Sequence, residues 1–385
     1  MIDHYQPYLF PFLGSRASYP NPLVKRYYYW SWEDGLWDLL RGKHVEKGST
    51  ILIPDFYCSD VINNIRTHGY TVVLYRLDQH FQVKKQTLLN SIRRHNPSVV
   101  IVFHVCGVKS TVMTKPTWMK KSAKETIIVE DSVHQLLTPS LVKPLSDNHF
   151  IMDSLRKVSP LYGSFLYGTK KGLHFHQTNK TWSFYTMYSL LLYGLFRIVL
   201  TAGHVFNQPS LAVFAHEKLL KFHDNVIGDS MRSYRGCTLF SWMTQWIYTT
   251  RVERIKREQV KMYEHTFKSL WGRRSPLYRI QMKRSDYGKL HVYPVGLRQK
   301  TSVELLSYLR SKKIIVWPKF SDSVWAKKRD VLFFPLGFHM NKQKIKVIAK
   351  ALVSWKTGAW KQEKTTVKNP SPHLLVRAAE VILSF

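Results

Sequence analysis

The sequence predicts an α/β fold: a mainly parallel sheet between helices, followed by a smaller α+β unit. Three observations carry that prediction. Short apolar runs alternate with helix-like segments through the first half of the chain, the pattern of parallel strands joined by helical crossovers. One run, 98–103 (SVVIVF), is apolar after its first serine, as a strand buried on both faces must be. After a long charged helix-like segment the order changes to a compact set of strands and helices. With 385 residues, 44% of them hydrophobic, the chain can fill such a core and a second, smaller one.

In chain order, Trp30 to Leu40 reads as a helix start, Thr50 to Pro54 as a buried strand and Asp60 to Thr67 as a helix. Thr71 to Tyr75 is extended, Lys85 to His95 is a polar helix, and the strand 98–103 is followed by Thr126 to Glu130, which leads to Asp131. Residues 187–206 (MYSLLLYGLFRIVLTAGHVF) approach the length of a membrane span. Arg197 at its centre favours a buried or interface helix over a span, while the basic surroundings leave peripheral membrane contact open. Residues 251–270 (RVERIKREQVKMYEHTFKSL) read as a bridging helix. Beyond it come a strand at Leu290–Val295, a helix at Ser302–Lys312, strands at Ile314–Trp317 and Val331–Pro335, and a helix at Asn341–Leu352. This gives an N-terminal segment 1–29 packing on the small domain, a large domain 30–250, a small domain 251–355 and a tail 356–385.

In a parallel sheet, ligands collect beyond the carboxyl ends of the strands. That rule selects Asp55 to Cys58, His104 to Gly107 and Asp131 to His134. Asp131 closes a strand and Lys157 follows 26 residues later in DSLRK. A strand-end carboxylate and a loop lysine suit pyridoxal 5'-phosphate, which needs an acid against its pyridine nitrogen and an amine to hold its aldehyde as a Schiff base. Taken alone, such an aspartate also serves as a turn residue or helix cap, and an Arg-Lys pair as solvated surface.

The 58 Lys plus Arg against 25 Asp plus Glu give a net charge of +33, which favours anionic partners. The cations are spread along the chain without a concentrated arm, and no zinc-finger or RNA-binding motif accompanies them. This argues against nucleic acid and leaves a general compositional bias as the plain alternative. Three widely spaced cysteines, Cys58, Cys106 and Cys237, have neither disulfide nor metal-ligand spacing. A reducing compartment follows, and with no secretory pattern at Met1 to Pro7 the cytoplasm is the expected location.

The order of these segments resembles the DegT/StrS family of nucleotide-sugar aminotransferases, enzymes of the aspartate aminotransferase fold (PLP-dependent transferase fold type I). Residues 48–58 (GSTILIPDFYC) resemble the family's GDEVLVPAYHC element, and 69–78 (GYTVVLYRLD) its GAKPVFVDID element. Residues 104–107 (HVCG) match H-x-x-G, and 129–134 (VEDSVH) match IEDAAQ/H. SLRK at 154–157, with Pro160 and Gly163, resembles the lysine loop, and 333–337 (FFPLG) the closing strand.

The resemblance implies a seven-stranded-type sheet and roles for seven residues. Lys157 would hold the cofactor and then move a proton between substrate and cofactor carbons. Asp131 would pair with the pyridinium, His134 would lie near the phenolic oxygen and Ser154 would bind the phosphate. Phe56 or Tyr57 would lie against the ring, and Asp34 would stand at the phosphate-binding helix start. It also implies glutamate as amino donor, a keto sugar nucleotide as acceptor, a place in surface polysaccharide assembly, and a homodimer with the active site between subunits.

At that helix start the family has a small-residue turn, SGRSAL, and this chain has Ser31 to Leu36 (SWEDGL). Two carboxylates there repel a phosphate dianion unless both point outward, and Asp34 has the alternative of capping the helix. Ser154 and Lys157 are three residues apart where five is commoner, and the following glycine segment is reduced to Gly163-Ser164. A second reading is therefore a binding or scaffold protein of polysaccharide assembly. A sugar dehydratase of this family is disfavoured by the retained Lys157.

Overall fold

The computed structural model describes residues 2–3 and 23–358, apart from 115, 117, 119–124, 136, 138–140, 158–161, 176–183, 207, 227–235, 237, 245–248, 273–274, 317, 319 and 338. After a two-residue strand β1 (Ile2–Asp3), seven strands form the central sheet. They are β2 (Val24–Tyr29), β3 (Thr50–Pro54), β4 (Thr71–Tyr75), β5 (Val99–Phe103), β6 (Ile127–Asp131), β7 (His149–Met152) and β8 (Ser164–Thr169). Their order is β2-β8-β7-β6-β5-β3-β4. β8 is antiparallel to β2 and β7, and the pairs from β7 to β4 are all parallel.

The central strands β5 and β6 are buried at every position, so only their carboxyl ends can meet a ligand. Glu130 and Asp131 interrupt the apolar run of β6 at that end. Helices α1 (Trp32–Gly42), α2 (Ser59–Thr67) and α3 (Lys85–His95) connect the first strands. The largest apolar core contains residues of α1, α3 and β3 to β7, with Trp37, Ile53, Ile101 and Phe150 among them. The stretch 24–29, expected with the amino-terminal segment, is instead the edge strand of this sheet. Tyr28 and Tyr29 are buried while Lys25 and Arg26 are half-buried, which suits an edge.

A helical hairpin, α4 (Phe184–Val205) and α5 (Pro209–Val226), follows the sheet, with a short α6 (Thr238–Met243) beyond it. α4 contains the long apolar run, and its Arg197 faces inward, its Nε donating to the Tyr193 hydroxyl at 3.0 Å. Among the described residues no helix is long and apolar enough to cross a membrane.

Helix α7 (Thr249–Thr266) leads into a second unit of β9 (Leu277–Arg279), β10 (Val292–Leu297), α8 (Val303–Ser311), β11 (Ile314–Ile315), β12 (Asp330–Pro335) and α9 (Lys342–Thr357). Its antiparallel sheet has the order β12-β10-β9 and a core of its own, with Tyr263, Tyr293, Phe334 and Ile348 buried together. β1 pairs in parallel with β11, which ties the start of the chain to this unit. Residues 4–22 and the tail beyond 358 lie outside the described residues.

Candidate active site

Asp131 is the end of β6 and 2% exposed. Its Oδ1 accepts the Val133 amide at 3.1 Å, and its Oδ2 accepts the Tyr57 hydroxyl at 2.5 Å. Burial pushes the carboxyl up to about 7, against the Tyr57 and Val133 hydrogen bonds and the Lys157 charge, while Glu33 raises it further. Burial and the Asp131 charge hold the Tyr57 phenol well above its usual range, so Tyr57 stays a donor.

Lys157 lies in a single turn, Leu155–Lys157, just after β7. That turn is fixed from both sides, since the Leu155 amide donates to the Gly163 carbonyl at 2.8 Å and the Lys157 amide to the Ser154 carbonyl at 3.2 Å. Gly163 has φ +119 and its Cα faces the Tyr28 ring so closely that a Cβ would lie 2.4 Å from the hydroxyl, so only glycine serves. Asp153, just before the turn, clamps β7 to β8. Its Oδ1 accepts the Phe165 amide at 2.7 Å and its Oδ2 the Tyr167 hydroxyl at 3.1 Å. Burial raises this carboxyl to about 7 as well. The clamp was not legible beforehand, because its partners lie on a strand that the sequence reading did not contain.

Of the expected residues, the structure thus brings together Asp131, Tyr57 and Lys157. Ser154 is buried beside them and gives its carbonyl to the lysine turn. Phe56 points into the core, with its ring 4.9 Å from those of Phe81 and Trp325. His134 is turned toward the second unit: its Nδ1 accepts the Cys106 amide at 3.2 Å, and its ring stacks on His291 at 5.4 Å and on Phe320 at 6.2 Å.

Asp34 caps its own helix. Its Oδ2 accepts the Ser31 amide at 3.0 Å and the Ser31 hydroxyl at 2.8 Å, while its amide donates to Ser31 Oγ at 3.0 Å. Folded back in this way, the Asp34 carboxylate answers an amide of the chain. Glu33 is the other carboxylate; it is buried, and its charge acts on Asp131, Tyr57 and Cys58.

The neighbouring Trp32 supplies an opposite feature. Its indole Nε1 is buried with no hydrogen-bond partner among the described residues, and its ring meets Tyr57 edge-on at 6.4 Å. A buried donor without an acceptor costs on the order of 1–3 kcal/mol, so this one marks where an acceptor is missing. The strand-end carboxylate, the nearby lysine and this orphan donor at the start of α1 together suit a cofactor with a ring nitrogen, an aldehyde and a phosphate. Glu33 is the residue that suits it least.

On the opposite side of β6, Glu130 belongs to a separate network that sequence reasoning missed. His104 Nε2 lies 2.6 Å and Lys109 Nζ 3.7 Å from Glu130 Oε1, with His149 Nε2 3.2 Å from Oε2. His104 Nδ1 accepts the Ser110 amide and His149 Nδ1 the Leu145 amide, so both rings carry their proton on Nε2, toward Glu130. Burial opposes ionisation, yet His104 and His149 hold the Glu130 carboxyl well below its ordinary range. Successive strand residues face opposite sides, so this network supports the sheet behind Asp131.

Comparison with known proteins agrees with this architecture. Residues 36–172 match the family described as aminotransferase class I and II. No curated protein matches the chain in sequence. Among solved structures, DesV of S. venezuelae shares 13% identity at a TM-score of 0.54, over 86% of this chain and 84% of that one. A DegT DnrJ EryC1 StrS aminotransferase from Brucella abortus shares 12% at 0.52, over 86% of each chain. The multiple substrate aminotransferase of Thermococcus profundus shares 11% at 0.51, over 89% and 77%. The fold is that of the PLP-dependent aminotransferases of fold type I. The matched segment runs from α1 to just past β8 and so contains Asp131, Lys157 and the strands that position them.

Proposed function

We propose that this chain is a pyridoxal-phosphate-dependent aminotransferase acting on a keto sugar carried by a nucleotide, with glutamate as amino donor. The observation that carries the reading is the pairing of a fully buried strand-end carboxylate, Asp131, with Lys157, whose charge reaches it. The aminotransferase class I and II match over these residues supports the reaction class, and the likeness in fold to a Streptococcus pneumoniae protein described as a sugar aminotransferase (13% identity, TM-score 0.56, 88% of each chain) supports the substrate class.

When bound, the cofactor supplies a ring that accepts the electron pair left as a proton leaves the substrate carbon bearing nitrogen. The chain's own residues do the remainder. Asp131 holds negative charge against the ring nitrogen, and Tyr57 and Val133 fix its orientation. Lys157 Nζ would hold the cofactor and move the substrate proton, its turn fastened by Ser154 and Gly163. Trp32 Nε1 would donate to the phosphate, and the positive end of α1 would add to it. The net charge of +33 draws in an acceptor that carries a diphosphate. In this reading the enzyme works in the cytoplasm as a homodimer, in surface polysaccharide assembly.

Protein mixed with pyridoxal phosphate should show a visible absorption band, and borohydride should fix the cofactor to Lys157 as a mass increase. Lys157→Ala should lose both. A wild-type protein that stays colourless and takes up no label ends the enzyme reading.

A further inference from the structure

The resemblance gives an aromatic residue at position 57 no more than a place against the cofactor ring. The structure gives its hydroxyl a partner, Asp131 Oδ2 at 2.5 Å. Among the described residues no other side chain hydrogen-bonds that carboxyl, whose Oδ1 takes the Val133 amide. Tyr57 follows β3 and Asp131 closes β6, with β5 between them, so the bond spans the carboxyl ends of three strands. It is made by the topology of the sheet and not by neighbours in sequence.

Both groups are buried, Tyr57 at 4% and Asp131 at 2% exposed. The phenol ring is held edge-on by Phe103, 5.2 Å away at 83°, and by Trp32 at 6.4 Å. Closeness to Asp131 is not enough by itself to make such a bond. The Tyr75 phenol also feels the Asp131 charge, yet it donates to the Ile101 carbonyl at 3.0 Å.

The charges facing the pair come from several elements. Burial raises the Asp131 carboxyl to about 7, Glu33 of α1 acts in the same direction and the Lys157 charge opposes them. Glu33 and Cys58 also act on the Tyr57 phenol, after burial and Asp131 itself. In the proposed reaction the Lys157 amine is taken up by the cofactor's aldehyde, while Glu33 remains. Tyr57 and the Val133 amide are then left to keep the carboxyl charged.

A carboxyl and a ring nitrogen that face each other share one proton. On the carboxyl it gives a neutral acid beside a neutral ring; on the nitrogen it gives a carboxylate beside a pyridinium, with the same total charge. A phenol's hydrogen bond is stronger to a carboxylate than to a neutral acid, so Tyr57 favours the second arrangement. That arrangement is the one in which the ring accepts electrons well. We infer that Tyr57 is a positioning residue for this proton, keeping it on the ring nitrogen through the hydrogen bond to Asp131. The inference rests on the proposed cofactor, and it assigns the part to the hydroxyl of Tyr57 and not to its ring face.

The test is Tyr57→Phe, which keeps the ring with its edge contacts and removes the hydroxyl. In the protein without cofactor, NMR of isotope-labelled aspartate, with Asp131 assigned by the signal lost in Asp131→Asn, should show that carboxyl titrating about one to two pH units above wild type. With pyridoxal phosphate labelled at its ring nitrogen, the signal at neutral pH should stand at the pyridinium position in wild type and move toward the pyridine position in Tyr57→Phe. A fluorinated tyrosine placed at 57, a more acidic phenol and stronger donor, should shift the Asp131 titration the other way. Phe103→Leu loosens the Tyr57 ring and spares the hydroxyl, so it should lower stability in urea and leave both signals in place. Equal movement in Phe103→Leu, or no movement in Tyr57→Phe, overturns the inference. A wild type that takes up no labelled cofactor ends the reaction reading and this inference with it, whereas one that takes it up and keeps its nitrogen signal in Tyr57→Phe ends the inference alone.

Discussion

Asp131 is an acid kept where its charge is costly. Its carboxyl titrates near 7 in the fold and near 4 in an unfolded chain, because burial outweighs its hydrogen bonds. The folded value is the raised one, so the stability this group contributes is fully present below about 4 and lost as the pH rises to about 7. Asp131→Asn removes that loss. It should unfold at higher denaturant than wild type at pH 8, by on the order of 2–4 kcal/mol, with the difference shrinking toward pH 5. The same variant should bind pyridoxal phosphate poorly at every pH, whereas wild type should bind it better as the pH rises through 7. A wild-type advantage in stability at pH 8 would show that Asp131 is not strained by burial. In the proposed reading, Trp32 and Glu33 would act on the phosphate end with opposite signs. Trp32→Phe keeps the ring and deletes the orphan donor, so spectral titration should show cofactor affinity falling roughly tenfold, the worth of one hydrogen bond to a charged group. Glu33→Gln should raise it by a similar factor, more at low salt. If pyridoxal without its phosphate responds equally to both variants, the phosphate does not lie at the start of α1.

At the scale of elements, the strands that position the site were the readable ones. β3, β4 and β5 are short apolar runs bounded by turns, and buried parallel strands leave that trace. β7 has four residues and β8 mixes Gly168 and Tyr167 among its positions, so neither shows a clear period, and the Asp153 clamp between them was hidden with them. The placement of Asp131 at a strand end and of Lys157 in the loop after the next strand was legible, because it follows from the order of apolar runs. The positions of Phe56 and His134 were not, since Phe56 packs on Phe320 and Trp325 and His134 on His291 and Phe320, all from late in the chain. Asp34 was half legible: Ser-x-x-Asp is a capping pattern, and the structure uses it as one. Ser31→Ala should therefore lower stability by about 1 kcal/mol in denaturant unfolding, the usual worth of such a cap. It should also free the Asp34 amide and leave the Asp34 carboxylate only the Ser31 backbone amide, so any loss of cofactor affinity beyond that from the weakened helix measures the repulsion of a loosened Asp34.

For the whole molecule, the junction between the two units holds a second buried charge. Lys256 of α7 is fully buried, and its Nζ donates to the Leu290 carbonyl at 3.0 Å. Beside it the His291 amide reaches the carbonyls of Cys106 and His134, so α7, the end of β5 and the second unit meet at one place. Burial brings the amine down to about 7. Here the folded value is the depressed one, so between about 7 and 10 the unfolded chain binds more protons, and stability rises with pH across that window. Asp131 and Asp153, both pushed up to about 7 by burial, give the opposite slope below 7. Lys256→Met keeps the stem and removes the amine. It should be more stable than wild type at pH 6, by on the order of 2–3 kcal/mol after the lost Leu290 hydrogen bond is counted, and should converge on wild type near pH 10. Urea unfolding at the two pH values decides this. Greater stability of the wild type at pH 6 would mean that the lysine is held charged by partners, and that the junction gains nothing from losing it.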